Sequence, residues 1–229
     1  MPSSLVRCLV LVTLAACTYP TEVVVQPSSS DSSASGSSSS SADGGATSCE
    51  PASAAGWSPT WVPPTGAAQG VCAAQDLANI YGACFGSDAT TDSCSAYQSN
   101  NPSCASCVIS DSTDSSWGAI VVFADTTVVN QPGCLDLVDS AEASCAQSAQ
   151  AQSECEQALC DSSCPVTDNA SLVAWQQCAT EADQGPCAGY ESTCLQQQLG
   201  ADAGGAACAG ADFPTAFTNV ATVFCGSSN

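Results

Sequence analysis

Sixteen cysteines between residues 49 and 225 constrain this chain more than any other feature, because thiols at that density persist in a folded domain only as disulfides or as metal ligands. They are Cys49, Cys72, Cys84, Cys94, Cys104, Cys107, Cys134, Cys145, Cys155, Cys160, Cys164, Cys178, Cys187, Cys194, Cys208 and Cys225. Over the same stretch the usual core builders are scarce. From Cys72 to Cys225, Leu, Ile, Val and Phe fill 25 of 154 positions, a share that normally leaves an acidic chain disordered. Crosslinks reverse that expectation. Each bridge typically contributes about 2–4 kcal/mol by restricting the unfolded chain, so an even set of sixteen predicts eight bridges holding a thin core together. Which cysteine meets which stays open among roughly two million schemes, by the counting that gives 15 for six cysteines.

Charge narrows the chemistry. The chain has 22 acidic residues against one basic residue, Arg7, and no histidine. A polyanion without cations cannot neutralise phosphates, so nucleic acid is excluded as a partner. Imidazole-dependent hydrolysis and lysine Schiff-base chemistry are excluded beyond Arg7 for want of the residues. Trypsin has no cleavage site after Arg7 either, and purified mature protein is expected to survive trypsin treatment intact on a denaturing gel; rapid degradation would contradict this.

Residues 1–16 read as a signal peptide. Arg7 supplies the positive charge, and Cys8 to Ala16 forms an apolar run too short to span a membrane. The run ends in Leu14-Ala15-Ala16-Cys17, which resembles the lipobox of bacterial lipoproteins. That resemblance implies cleavage before Cys17, lipid on its thiol, attachment to a membrane through that lipid, and a location in the cell envelope, at the outer membrane or cell surface. Residues 17–48 form the tether. Eleven of the fourteen residues from Ser28 to Ser41 are serine, a composition that predicts disordered coil, with a typical span on the order of 30 Å. Residues 49–71 form a Pro- and Trp-rich strap (GWSPTWVPPTG) in which Pro59, Pro63 and Pro64 forbid helix.

Residues 72–229 then make a mainly α, disulfide-rich domain with one short β-hairpin. Ala73, Leu77, Ile80, Tyr81 and Cys84 form a helical stripe ending near Gly86. Asp88 is a candidate cap for a helix carrying Cys94 and Tyr97, and Asn101-Pro102 opens another through Ile109. Steps of four and three through Cys134, Val138, Ala141, Cys145, Ser148, Gln152, Cys155 and Leu159 predict one helix of about 29 residues, closed by Pro165. Residues 169–182 and 187–199 read as two more, and Phe213, Phe217, Val220 and Phe224 line a terminal helix. Trp117 to Val129 is β-branched and reads as the hairpin. Cysteine steps of 12, 10, 10 and 3 from Cys72, and 11, 10, 5 and 4 from Cys134, fit helices pinned about every three turns; a duplicated unit would give similar steps. Lipobox, serine tether and cysteine-rich helical domain together look like the cell-surface lipoproteins of unknown function of large-genome Gram-negative bacteria, a resemblance that transfers no activity.

No residue is assigned a catalytic role, and neither metal nor cofactor is expected. Cys104-Ala105-Ser106-Cys107 has thioredoxin-type spacing but lacks the preceding strand, so pairing with other helices is the expectation. Cys104, Cys107, Cys160 and Cys164 have steps that could converge on zinc, but exported thiols oxidise first. Asp88 with Asp92, Asp111 with Asp114, and Asp136 with Asp139 read as solvated acidic faces because none follows a calcium-loop pattern. A protein or glycan ligand at the cell surface is the expected partner, with Trp57, Trp61 and Trp117 as candidate contacts. Two alternatives remain beside this non-enzymatic module: a glycoside hydrolase-like enzyme working through two carboxylates, and a thiol-disulfide protein using Cys104 and Cys107.

Overall fold

A computed structural model describes residues 49–67, 70–124, 126–190 and 192–227; the expected signal peptide, the expected lipidation site Cys17 and the serine-rich stretch lie outside them. Among the described residues, eight α-helices, a small sheet and two 3-10 turns follow one another in the chain.

The first three helices are α1 (Ala74–Cys84), α2 (Thr91–Asn100) and α3 (Pro102–Val108), and of these only α2 starts on a side-chain cap. At α2 the cap is Thr90 and not the expected Asp88: the Thr90 hydroxyl accepts from Ser93 N at 3.0 Å. At α3, Pro102 occupies the first turn, but the Asn101 amide turns back to donate to Tyr97 O at 3.3 Å instead of capping forward. The helix stops at Val108, because Ile109 opens a strand.

That strand, β1 (Ile109–Asp111), runs parallel to β2 (Ile120–Val122), which pairs antiparallel with β3 (Thr127–Val129). The expected hairpin is β2–β3, in the register Ile120↔Val129, Val121↔Val128 and Val122↔Thr127. The parallel partner is an addition. Only residues 112–119 connect β1 to β2, where parallel pairs usually need a dozen or more, and this is feasible because the strands are three residues long. Gly118 makes the return: a Cβ there would stand 2.5 Å from Cys107 O, so only glycine lets the chain pass.

The single long helix expected from Cys134 onward is two. Helix α4 (Gln131–Val138) ends at Asp139, and α5 (Ala143–Cys160) begins after a 3-10 turn over Ser140–Glu142. Asp139 accounts for the break, since its carboxylate accepts from Ala141 N at 3.2 Å and closes a local turn that competes with helix. Next come α6 (Asn169–Gln184), capped by Asp168 accepting from Ser171 N at 2.8 Å, and α7 (Thr193–Gln198). The helix expected over 187–199 is thus reduced to its second half, because the chain first turns from Cys187 to Tyr190 around Gly189. Helix α8 (Phe213–Cys225) closes the fold.

Three apolar clusters result, the smallest formed by Trp117, Val121 and Val128 on the sheet. Around α8, Phe213, Phe217, Val220 and Phe224 pack on Leu77, Ile80, Val108 and Leu135. Trp175, Leu159 and Val166 form the second cluster, with Cys155, Cys160, Cys164, Cys178 and Cys187. Helix α5 runs through the two larger ones. Its 18 residues rise about 27 Å, bringing Cys145 to the first cluster and Cys155 and Cys160 to the second. A buried polar chain ties the second cluster to the sheet: the Gln157 amide lies 2.6 Å from the Thr126 hydroxyl and 2.9 Å from the Asp161 carboxylate, which also accepts from Trp175 Nε1 at 2.8 Å.

Eight disulfides pair all sixteen cysteines. Cys72–Cys104 encloses Cys84–Cys94, and Cys107–Cys225 encloses Cys134–Cys208, Cys145–Cys194, Cys155–Cys187 and Cys160–Cys178, one inside the next. Only Cys49–Cys164, from the strap to the end of α5, crosses this nested order. No described helix is long and apolar enough to cross a membrane.

Candidate functional site

Between the hairpin and helices α5, α6 and α7 lies a cavity of about 440 Å³, within the range of small-molecule sites. Helical spacing places its walls. Gln152 and Glu156 stand one turn apart on α5, while Trp175, Ala179 and Asp183 repeat every four residues along α6. The sheet side contributes Trp117, Val121, Phe123 and Val128, and α7 adds Leu195 and Leu199.

Glu156 and Asp183 meet across the α5–α6 pair in hydrogen-bonding contact. Two carboxyl groups do not approach unaided. Cys155, next to Glu156, is bridged to Cys187, four residues beyond Asp183, and Cys160–Cys178 joins the same helices farther on, so covalent bonds hold the acids together. Burial pushes the Glu156 carboxyl well above its ordinary range, the charge of Asp183 and their mutual hydrogen bond push the same way, and the Gln152 amide opposes them. Glu156 therefore keeps its proton at pH values where exposed acids have lost theirs.

Around this pair the cavity carries unsatisfied polar atoms. Trp117 Nε1, Gln150 Oε1, Gln152 Oε1 and Asp183 Oδ1 are buried and lack hydrogen-bond partners, and all four residues line the cavity. The glutamine orientations are fixed by their amide nitrogens: Gln150 Nε2 donates to Glu154 Oε1 at 2.6 Å and to Thr60 O at 3.3 Å, and the Gln152 amide serves Glu156. Burial also raises Glu154, against the opposing bonds from Gln150 and Thr60 N.

The residues singled out from sequence are dispersed. Trp117 is 4% exposed and lines the cavity. Its backbone bridges the strap, with Trp117 N donating to Pro63 O and Thr65 N to Trp117 O, both at 2.9 Å. Trp57 is half-buried on the second cluster, edge-on to Tyr190 with ring centroids 5.6 Å apart, and Trp61 is half-buried; neither lines the cavity. Cys104 is bridged to Cys72 and Cys107 to Cys225, which overturns the paired-thiol alternative, because neighbours on one short helix are drawn to different partners. The zinc set likewise dissolves: Cys160 and Cys164 pair with Cys178 and Cys49. Among the described residues no group of three or more Cys, Asp or Glu could hold a metal ion. Asp111 and Asp139 spend their carboxylates on their own turns, Asp111 accepting from Thr113 N and Oγ1 at 2.9 and 2.7 Å.

Glu156, Asp183, Gln150 and Trp175 were missed as site residues. Two signals pointed to them. Gln152 is a polar member of the stripe along α5, and Asp183 lies in the last turn of α6, where the helix dipole disfavours a carboxylate. Compared with protein-family models, curated proteins and solved structures, the chain gives no match, so geometry carries the functional argument.

Proposed function

We propose that this chain is an envelope lipoprotein, anchored by lipid on Cys17, whose serine tether displays a non-enzymatic binding module with its ligand site in the cavity beneath the hairpin. The observation that carries this reading is the convergence of four unpartnered buried polar atoms on one cavity, since such atoms cost free energy unless a partner arrives. A disulfide-locked scaffold suits it, because a site fixed before binding loses little entropy on binding. The glycoside hydrolase-like alternative is disfavoured by the same site. Its two carboxyl groups touch, whereas that chemistry needs them about 5–9.5 Å apart with a sugar or water between.

Two measurements test the proposal. Non-reducing intact mass of protein taken from its native membrane is expected to show a lipid increment on Cys17 and no alkylatable thiols; an unmodified N-terminus would remove the anchor. Tryptophan fluorescence of the mature domain titrated with a panel of glycans and small metabolites is expected to find a saturable ligand. Absence of any ligand whose binding depends on cavity residues would remove the binding site.

A further inference from the structure

The unpartnered atoms are not a random set. Three are acceptors, Gln150 Oε1, Gln152 Oε1 and Asp183 Oδ1, and one is a donor, the Trp117 Nε1–H. Gln150 is 2% exposed and Trp117 4% exposed, so bulk water does not reach these groups as it reaches surface residues. Acceptors grouped beside a carboxyl pair require donors. An ammonium offers three donors and no acceptor, and it carries the charge that an ionised pair lacks. Nothing in the domain can supply that charge: beyond Arg7 there is no lysine, arginine or histidine anywhere in the chain. A bare metal ion fits poorly, since 440 Å³ far exceeds a cage for one cation and the described residues offer no set of three metal-binding side chains. The remaining walls, with Phe123, Val121, Trp175 and Leu195, suit an apolar body, and aromatic faces also favour a cation nearby.

We infer that the cavity binds a small primary amine with an apolar body, its ammonium held by Glu156, Asp183 and the Gln152 carbonyl and an oxygen at its other end accepting from Trp117 Nε1. This deepens the binding-module reading and rests on it. Binding is a proton exchange. The amine enters as its ammonium ion and the proton held by Glu156 leaves to water, so the ammonium lies against the carboxylates that Glu156 and Asp183 then present. Asp183 of α6 is the titratable group facing Glu156; the hairpin, α4 and α7 contribute no ionisable side chain among the described lining residues. Affinity therefore rises with pH across the range in which Glu156 ionises.

Calorimetry on the intact oxidised domain at physiological salt tests this with tyramine, which joins an ammonium to a phenol. Its neutral counterpart is 4-ethylphenol, and its anionic counterpart is 3-(4-hydroxyphenyl)propionate. Tyramine is expected to bind, to release protons in a buffer-dependent manner, and to bind more tightly at pH 8 than at pH 5. The neutral and anionic analogues are expected to bind about 30-fold or more weakly, as are all amines to E156Q and to D183N. Near-UV circular dichroism confirms that these isosteric variants are folded. W117F is expected to weaken tyramine but not phenethylamine, which lacks the oxygen. Equal binding of 4-ethylphenol would overturn the amine assignment while leaving the binding cavity standing. Amine binding unaltered in both carboxyl variants would mark diffuse attraction to the polyanion, and displacement by calcium at equal concentration would mark a metal site; either overturns the proposal. If tyramine, glucosamine and spermidine all fail to bind, the amine class falls, and the wider ligand panel decides the cavity.

Discussion

Complete reduction of the eight disulfides is expected to abolish the helical circular dichroism of the domain at 25 °C without any denaturant. The expectation follows from the size of the core. Three modest clusters, one of them largely half-cystines around a single tryptophan, must otherwise offset the entropy of some 180 ordered residues and the mutual repulsion of carboxylates that no internal cation neutralises. At about 2–4 kcal/mol each, the bridges together exceed the net stability of an ordinary domain of about 5–15 kcal/mol. Single removals should grade with the free chain each bridge closes. With its inner bridges intact, Cys107–Cys225 closes residues 108–133 and 209–224, and replacing both cysteines by alanine should cost about 4 kcal/mol; Cys84–Cys94 closes a ten-residue separation and should cost about 2.7 kcal/mol. Denaturant unfolding of the two paired variants measures this order. Retention of a cooperative transition after full reduction would show that packing, and not crosslinking, holds the fold.

The thermal midpoint is expected to be higher at pH 4.5 than at pH 8, and added salt should narrow the gap. Glu156 sets the sign. Its carboxyl is raised in the folded state above the ordinary value of 4.5, so the native protein holds a proton that the unfolded chain releases, and stability falls as pH rises through that interval. Self-repulsion among the exposed acids acts in the same direction and is screened by salt. At the acid end the slope reverses. Asp111, Asp168 and Asp212 are held below the ordinary 3.8 by hydrogen bonds from Thr113, Ser171 and Thr215, so their contributions are present above 3.8 and lost as pH falls through their folded values. The maximum therefore lies between the acid range in which those aspartates take up protons and the higher range in which Glu156 ionises. E156Q should raise the midpoint at pH 8 and leave it nearly unchanged at pH 4.5, with each kcal/mol gained worth about 2–4 °C in a domain of this size. A midpoint in E156Q that tracks the parent at both pH values would show that the buried pair carries no stability cost.

How much of this was legible in the residues depends on whether a feature is local. The stripe of Phe213, Phe217, Val220 and Phe224 predicts α8 because its apolar period is complete, and the β-branched run from Trp117 predicts β2 and β3. The stripe from Cys134 is correct only in part: Cys134, Cys145, Cys155 and Leu159 are buried, whereas Val138 and Ala141 are exposed on either side of Asp139, whose carboxylate closes a local turn and breaks the helix. Strand β1 has only Ile109, Ser110 and Asp111, and what makes it a strand is its pairing with β2, which no local pattern announces. The cavity is less legible still. Glu156 and Asp183 are 27 positions apart on unremarkable helical turns, and what turns them into a pair is the bridge from Cys155 to Cys187. Once the pairing of cysteines is unknown, so is the site.

The nested order of the bridges bears on how the molecule is made. Only Cys84–Cys94 joins cysteines that are neighbours in the list along the chain; each of the other seven skips at least one. An oxidase that seals thiols in the order they emerge from a translocon would close Cys49 onto Cys72 and Cys104 onto Cys107, and nearly every such bond must be broken again. For a chain oxidised as it emerges, maturation then requires reshuffling through mixed disulfides with a thiol catalyst. Within the nest the shortest spans can settle first, each shortening the search of the next one out, whereas Cys49, the first of the sixteen to emerge, waits for Cys164. With this bridge order, a chain oxidised during export calls on an isomerase more than on an oxidant.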